Sequence, residues 1–444
     1  MLNSLSHGKA HTHLLSIALP LILANITTPL LGFVDTAILG RMNGLHFLAG
    51  AAIATLILTQ LYWVCGFIKM SITGQSAQHR ASAPNEKRKV LFQGAFIAFV
   101  LALCILLTQE WIVDAGLWFA KPNAAVAQST RVYFDVRVWG APAALVNLAV
   151  VGWLIGQQKS KLILILQIVV NLINIIASYS FVYVFGMQVE GVALGTVLAE
   201  YSMLVFSLFW IHKRYISLTL DYKSIIQWCS LHALKPLLSL NSDMLVRNLA
   251  LQFTLAFVML KGAQFGTQTA AINAVLMQFF SLIALGLDGV ANAVEALVGE
   301  AKGKLKQGLG SVTEVARQVG LGMFWSSLFA LIYCVFFYLF AAQIIGLLSN
   351  QQTLALALQP YMWVIYLLPL VAHWCFLFDG VYVGLSKGKA MRNNMLISTM
   401  CVFLPVYFLF SEHANQALWI AMFGFLAARG IGLAWHFYSH VRNK

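Results

Sequence analysis

One acidic residue stands within the first apolar stretch of the chain. Asp35 lies in LLGFVDTAILGR, between apolar runs of about one to two helical turns, and no basic residue shares the stretch with it. A carboxylate within a lipid bilayer is unfavourable by several kcal/mol unless it is neutralised, solvated or paired, so such a residue marks a functional site. Desolvation penalises the charged form of a carboxylate, which lets it exchange a proton near neutral pH. Asp35 therefore predicts coupling of a proton or another cation to a second process.

A polar stripe is predicted on the fifth apolar stretch. Asn171, Asn174 and Ser178 are three and four residues apart and so share one helix face. Such a stripe often joins helices by hydrogen bonds; opposite Asp35 it would instead form a small polar pocket. Other polar residues of the neighbouring stretches are candidate partners: Tyr133, Asn147, Thr196 and Glu200. Glu200 is expected to be a second unpaired carboxylate, facing a water-filled cavity.

Two prolines share the first stretch with Asp35. Pro20 and Pro29 each remove a backbone hydrogen bond, to the carbonyls of Ser16 and Asn25, and so predict kinks. The functional interpretation is a helix that bends when Asp35 changes charge. The structural interpretation is a pair of static kinks that shape the packing.

The second half of the chain carries its own charged residues. Asp288 and Glu295 are seven residues apart and share a helix face, which Asp379 and Arg429 from other stretches could join. These residues form either a buried structural network, since buried charges are usually paired, or part of a substrate path.

Two further charge pairs are close in sequence. Asp243 and Arg247 are spaced i, i+4, so we expect them to neutralise each other. Asp135 and Arg137 are two residues apart, hence on different faces, and fall near the end of a stretch where an interfacial position is expected.

The composition places all of these residues in a membrane protein. The 444 residues are 60% hydrophobic and 10% charged, with a mean hydropathy of +0.80, which is typical of polytopic helical membrane proteins. Twelve apolar stretches are long enough to span a bilayer as helices. They cover about 14–38, 48–73, 90–110, 131–156, 161–185, 190–212, 236–260, 269–299, 316–339, 355–384, 393–410 and 416–437.

The net charge of +13 is mainly an orientation signal. Most of the 28 Lys and Arg residues lie at the termini or in every second connection, as in the cluster Lys87, Arg88 and Lys89. Under the positive-inside rule, this pattern places both termini in the cytoplasm. It argues against nucleic acid as a partner and predicts a multi-pass protein of the inner (plasma) membrane.

The chain also repeats itself. GWLIGQQKSK at 152–161 matches GVYVGLSKGK at 380–389 at a displacement of 228 residues, and Ala51-Ala52-Ile53 matches 270–272 at 219. Glycines four residues apart allow close helix packing. The repeat predicts an all-α fold of two six-helix bundles, 1–212 and 236–444, joined by a cytoplasmic segment, 213–235, and related by a pseudo-two-fold axis along the membrane normal. The residue matching Asp35 at 219 is Thr254, so coupling chemistry is expected in one half only.

The sequence predicts no catalytic residue, cofactor or metal site. Nucleotide-binding, metalloprotease and nucleophile-elbow motifs are absent at plausible positions, and the cysteines have no metal-ligand spacing. An enzyme is therefore not expected, and ATP-driven transport is unsupported.

At this point the chain resembles the multidrug and toxic compound extrusion (MATE) family, in its DinF-type branch. The resemblance runs through nearly the whole chain, in ALPLILANITTPLLGFVDTAILGR, LYWVCGFIKMSITG, RVWGAPAALVNLAVVGWLIGQQ, GVALGTVLAEY, LDGVANAVEALVGEAKG and FDGVYVGLSKGKAMRNNM. It implies two six-helix bundles forming a V and efflux of varied, often cationic or amphipathic compounds, in exchange for protons or sodium.

The resemblance also implies roles for individual residues. Asp35 matches the family's acidic coupling residue on the first helix, and Pro20 matches the proline at which that helix bends. Tyr133, Asn174 and Thr196 match polar groups around that acid. Ser178 departs from the pattern, because it stands where members often carry a second acid.

The expected function is therefore proton-coupled efflux by alternating access. The expected partners are small organic substrates, protons and the lipid bilayer. The protein is expected to be a monomer. A single acid favours protons over sodium, since a hard cation gains from several oxygen ligands and negative charge. The alternatives are a sodium-coupled antiporter and a lipid-linked-sugar flippase of related fold, which would need a strongly cationic cavity. A channel is a further alternative.

Overall fold

A computed structural model describes residues 8–42, 44–215, 222–348 and 352–440, and all regular structure in these ranges is helical. Eleven of the helices are long and apolar enough to cross a membrane. A twelfth stretch, 388–409, is made of three consecutive pieces, Gly388–Ile397, Ser398–Phe403 and Leu404–Leu409. The twelve predicted spans thus correspond to helical segments, several of which contain irregular turns.

We number these segments in chain order. They are α1 (Gly8–Leu39), α2 (Leu45–Gln78), α3 (Pro84–Leu107), α4 (Ala124–Gly156), α5 (Ser160–Val184), α6 (Val189–Arg214), α7 (Leu231–Gln264), α8 (Thr267–Lys306), α9 (Val312–Leu348), α10 (Thr353–Gly384), α11 (388–409) and α12 (Asn415–His440). Two shorter helices, Gln109–Ala120 and Tyr222–Trp228, lie in connections.

Several helices extend beyond their predicted bounds. Helix α4 begins at Ala124, seven residues before the predicted start, because Asn123 caps it by accepting a hydrogen bond from the Val126 N–H at 2.9 Å. The early start places Arg137 well inside α4. Arg137 therefore does not lie near the end of its helix, as was expected.

The chain divides into two compact units. The amino-terminal unit comprises Leu23–Leu238, and the carboxy-terminal unit comprises Met1–Ile22 with Ser239–Lys444. The division falls within α1, so the first part of that helix groups with the second half of the chain. The segment after it, which carries Asp35, groups with α2–α6.

The repeated glycines perform the same task in each unit. A Cβ atom added at Gly152 of α4 would lie 2.6 Å from the Lys69 carbonyl oxygen of α2. One added at Gly380 of α10 would lie 2.5 Å from the Ala291 carbonyl oxygen of α8. Only glycine permits such backbone contact. The predicted close packing at both glycines is confirmed.

Irregular turns next to proline interrupt three of the helices, one of them α10, where the 3₁₀ turn Gln359–Tyr361 contains Pro360. In α4, a 3₁₀ turn at Val138–Gly140 precedes Pro142, which has no N–H to donate to the preceding turn. In α11, a π-helical turn at Ser398–Phe403 precedes Pro405. Helix α1, by contrast, is assigned continuously from Gly8 to Leu39, through Pro20 and Pro29.

Candidate functional site

The structure brings Asp35 against two hydroxyl groups of the amino-terminal unit. Ser178 of α5 has its Oγ atom 3.5 Å from Oδ1 of the carboxylate, and Thr196 of α6 has its Oγ1 atom 3.3 Å from Oδ2. Both hydroxyls are buried, whereas Asp35 itself is half-buried. These contacts are at the long end of hydrogen bonding. The carboxylate is held, but not tightly.

The polar stripe of α5 both joins helices by hydrogen bonds and contributes to a polar pocket at Asp35. Asn171 donates from Nδ2 to the Thr27 carbonyl of α1 at 2.9 Å, which joins the two helices. Asn174 donates from Nδ2 to Thr196 Oγ1 at 3.0 Å, and Ser178 reaches Asp35. The stripe is therefore interhelical packing at one end and part of a polar pocket at the other.

The Thr196 hydroxyl lies at the centre of this pocket. Its Oγ1 atom accepts from Asn174 and lies within hydrogen-bond distance of two acceptors, Asp35 Oδ2 at 3.3 Å and the Val192 carbonyl at 3.2 Å. A hydroxyl has a single proton to donate. Thr196 therefore serves both acceptors in turn, or shares its proton between them.

Glu200 has a partner that the sequence did not reveal. Arg137 of α4 donates to both Glu200 oxygens, from Nη2 to Oε1 at 2.5 Å and from Nη1 to Oε2 at 2.9 Å. Asn147 adds a bond from Nδ2 to the Glu200 backbone carbonyl at 2.9 Å. The prediction of an unpaired Glu200 is wrong, because a bidentate guanidinium neutralises it across the two helices.

The fifth predicted residue of the site lies beside this pair. Tyr133 is buried on α4 and interacts electrostatically with Asp35, Arg137 and Glu200. Arg137 also acts electrostatically on Asp35. Arg137 is thus the site residue that sequence reasoning missed, although the Asn123 cap was a readable signal that α4 begins early enough to bury it.

The carboxy-terminal unit arranges its charges differently from the expectation. Asp243 accepts from Arg392 of α11 at 2.6 Å, and not from its neighbour Arg247. Arg247 instead donates to Asp379 of α10, which also accepts from Arg429 of α12 at 2.5 Å. The predicted i, i+4 neutralisation is wrong, because partners on facing helices compete with the neighbour along the chain.

Two predicted path residues lie on α8 of this unit. Asp288 is exposed and interacts electrostatically with Arg429, whereas Glu295 is buried. The structure places them within the helix that packs on α10, so they belong to the same unit as Asp379. Their part in a substrate path stays a prediction. Among the described residues, no group of three or more His, Cys, Asp or Glu side chains is placed to hold a metal ion.

In the part of the chain that the structure describes, the long apolar helices define a polytopic membrane protein. The chain belongs to the MatE family, whose model matches residues 20–180 and 244–409. It is 35% identical over 442 residues to the DNA damage-inducible protein F of Escherichia coli, covering 99% of this chain and 94% of that protein. The predicted membership of the DinF-type MATE branch is confirmed.

Other similar proteins share the fold or part of the sequence. A probable multidrug resistance protein NorM of Shewanella oneidensis is 28% identical over 221 residues, 48% of this chain and 47% of that protein. The crystal structure of MATE in complex with MaD5 superposes with a TM-score of 0.84 at 16% identity, covering 98% of each chain. An outward-facing multidrug resistance MATE transporter gives the same TM-score at 16% identity, covering 96% and 94%. These structures establish the fold.

Proposed function

We propose that the protein is an antiporter that exports cationic or amphipathic organic compounds in exchange for protons by alternating access. Asp35 is the coupling carboxylate in this proposal, and it does not act as an enzyme residue. The observation that carries it is the contact of a half-buried carboxylate with the hydroxyls of Ser178 and Thr196 on two other helices. Neutral hydroxyl partners stabilise the charged form only modestly, so the group gains and loses a proton without breaking a salt bridge.

The Thr196 hydroxyl supplies a local two-state element. When Asp35 is charged, Thr196 donates to it; when Asp35 is protonated, Thr196 turns its proton to the Val192 carbonyl. The Asn174 Oδ1 atom is buried and has no hydrogen-bond partner within the part of the chain that the structure describes. An acceptor is thus available near the pocket for a carboxylic acid proton.

The proposed movement is a bend of α1. Protonation from the outer side weakens the attachment of Asp35 to α5 and α6, and α1 bends at Pro20 and Pro29, where a backbone hydrogen bond is already absent. Bending displaces substrate from the amino-terminal unit, and deprotonation towards the cytoplasm restores the site. Both termini are cytoplasmic in this proposal. One proton moving inward across about 100 mV supplies about 2.3 kcal/mol, enough for about fifty-fold accumulation.

Two alternatives differ in the cargo or the coupling ion. A sodium-coupled antiporter is disfavoured because the pocket offers one carboxylate, with Ser178 in the position of a second, and hard cations gain from more oxygen ligands and negative charge. A lipid-linked-sugar flippase is disfavoured because the buried arginines are already bonded to carboxylates: Arg137 to Glu200, and Arg247 and Arg429 together to Asp379.

Transport of a cationic dye in proteoliposomes tests the proposal. Proton and sodium gradients are imposed separately on wild type, Asp35→Asn and the control Asp135→Asn, whose carboxylate is exposed on α4. We expect proton-driven dye movement in wild type and Asp135→Asn, and its loss in Asp35→Asn. Full proton coupling in Asp35→Asn overturns the proposal, and a response to sodium alone overturns the ion assignment.

A further inference from the structure

We propose that the short helix Gln109–Ala120, between α3 and α4, lies at the headgroup boundary of the bilayer and binds phospholipids through an exposed aromatic face. We call it the boundary helix. It lies wholly within the amino-terminal unit, and the proposal does not depend on the role of Asp35. The side chains of the boundary helix divide into three sectors around its axis, and each sector has different surroundings.

One sector of the boundary helix packs against the protein. Val113 is fully buried, and Ile112, Gly116 and Leu117 are half-buried. A Cβ atom added at Gly116 would lie 2.3 Å from Cδ1 of Ile57 on α2, so the helix backbone lies directly against that side chain. This sector fixes which side of the boundary helix faces the protein.

A second sector is acidic and pairs with α4. Glu110 and Asp114 are one turn apart and share a face. Arg131 of α4 donates from Nη2 to Oδ1 of Asp114, and its Nη1 atom lies 3.7 Å from Oε2 of Glu110. Exposed ion pairs stabilise only weakly, but these two orient the helix. The boundary helix itself contains no Lys or Arg, so binding to it does not require anionic headgroups.

The third sector is aromatic and exposed. Trp111, Ala115, Trp118 and Phe119 follow the spacing i, i+4, i+7, i+8 and therefore share one face, which points away from Val113. The two tryptophans are 74% exposed and Phe119 is 75% exposed. Three large apolar side chains that are exposed together indicate a binding surface.

The position of the boundary helix in the chain places it at the edge of the hydrocarbon layer. The apolar part of α3, residues 90–107, is about 27 Å long as a helix, close to the thickness of about 30 Å that a span must cross. The basic cluster at 87–89 marks one end of α3, so the boundary helix follows the opposite end. Under the positive-inside rule this is the outer leaflet. Tryptophan is enriched at this depth because its ring is apolar and its N–H is polar.

The aromatic sector continues a lipid-facing surface of α3. Large apolar side chains at helical spacing are exposed along that span: Phe96, Phe99, Val100, Leu103 and Leu107. An exposed apolar stripe on a membrane-spanning helix contacts lipid. The stripe ends four residues before Trp111, and both surfaces belong to one continuous stretch of chain. This continuity identifies phospholipid as the occupant of the aromatic sector.

Tryptophan fluorescence in vesicles tests the proposal. The protein is reconstituted in phosphatidylcholine whose acyl chains carry bromine atoms either close to the headgroup or close to the chain end, because bromine quenches only the indoles that it contacts. The emission lost in Trp111→Phe/Trp118→Phe reports the two indoles of the boundary helix. Trp153→Phe is the control, since the Trp153 indole is buried and donates to the Lys87 carbonyl at 3.0 Å.

We expect shallow bromines to quench the emission of Trp111 and Trp118 about twofold more strongly than deep ones, because interfacial indoles lie at headgroup level. Iodide in the water should quench it weakly, and the Trp153 emission should respond to neither quencher. Added phosphatidylglycerol should change nothing. The single variants Trp111→Phe and Trp118→Phe give the same measurement for each indole if the double variant does not reconstitute.

Three results would overturn the proposal. Quenching by iodide without quenching by bromine would place the aromatic sector in water. Protection from both quenchers would mean that protein covers it, and a second copy of the chain would then appear as a dimer in light scattering. A strict requirement for phosphatidylglycerol would contradict the lipid chemistry inferred from the acidic sector. Loss of proton-driven dye transport in any variant would not bear on these results, since fluorescence reports the position of the indoles alone.

Discussion

Asp35 and Asp379 are both acidic residues on membrane helices, yet their surroundings differ in kind. Asp35 contacts two neutral hydroxyls at 3.3 and 3.5 Å. Asp379 accepts hydrogen bonds from two arginines, Arg247 and Arg429, and all three side chains are no more than 13% exposed. The first carboxylate is held only by neutral groups. The second joins two arginines that come from other helices.

The comparison extends to the position that the repeat pairs with Asp35. Thr254 of α7 is fully buried, donates to the Ala250 carbonyl at 3.0 Å and lies 3.3 Å from Thr399 Oγ1 of α11. Thr399 is itself the residue displaced by 228 from Asn171. The carboxy-terminal unit thus has a neutral hydroxyl contact where the amino-terminal unit has a titratable group. Under the proposed function, corresponding positions carry coupling chemistry in one half and structural contacts in the other.

The largest expected difference between the two acidic residues is the loss of stability when each carboxylate is removed. Asp379→Ala leaves Arg247 and Arg429 buried without their counter-ion and should lower the free energy of unfolding by about 3–5 kcal/mol. Thermal unfolding in detergent micelles measures the loss. The triple variant Asp379→Ala/Arg247→Met/Arg429→Met removes all three charges and should recover most of it. Equal loss in the single and triple variants would argue against the charge-network interpretation.

Substitution of alanine for the repeated glycines should have the same effect on stability in the two units. Gly152→Ala and Gly380→Ala each force a methyl group against a backbone carbonyl, at 2.6 and 2.5 Å respectively, and should each lower the free energy of unfolding by about 1–3 kcal/mol. Gly346→Ala is the matched control, because no atom lies within 4 Å of its added Cβ. It should be neutral or stabilising by about 0.5–1 kcal/mol. If the two variants lost clearly different amounts of unfolding free energy, the repeat would be a similarity of sequence without equivalent packing.

Variants of Thr196 and Thr254 distinguish an effect on stability from an effect on coupling. Thr196→Val and Thr254→Val each remove a buried hydroxyl and should lower the free energy of unfolding by about 1 kcal/mol. Only Thr196→Val removes a donor to Asp35, so only it should weaken proton-driven dye movement. Dye transport in proteoliposomes measures the change. An equal loss in Thr254→Val would contradict the distinction between the halves.

Asp35→Asn should have the smallest effect on stability. Its hydrogen bonds are long and made to neutral groups, so the free energy of unfolding should change by less than about 1 kcal/mol. The same thermal measurement as for Asp379→Ala checks this, with wild type alongside. A loss as large as that of Asp379→Ala would assign Asp35 a structural role and weaken the coupling proposal.

Much of the architecture was predictable because it depends on local properties. Apolar length indicates the spans, and the displacement of 228 residues locates the glycines on which α4 and α10 pack. The contact of Asp35 with Thr196 and Ser178 was expected from the family resemblance and the stripe of α5. Helix starts were less accurate, since caps such as Asn123 extend a helix beyond its apolar stretch.

By itself, the sequence determined the membrane class, the number of helical segments, the repeat and the isolation of Asp35 from basic residues on its own helix. Only the tertiary structure decided which charges pair. Asp243 accepts a hydrogen bond from Arg392 of another helix, although Arg247 is nearer in sequence, and Glu200 pairs with Arg137. Spacing along one helix shows which side chains are close enough to form a contact. Whether that contact forms depends on the helices packed against them, since a low-dielectric interior favours whichever cation lies directly opposite the carboxylate.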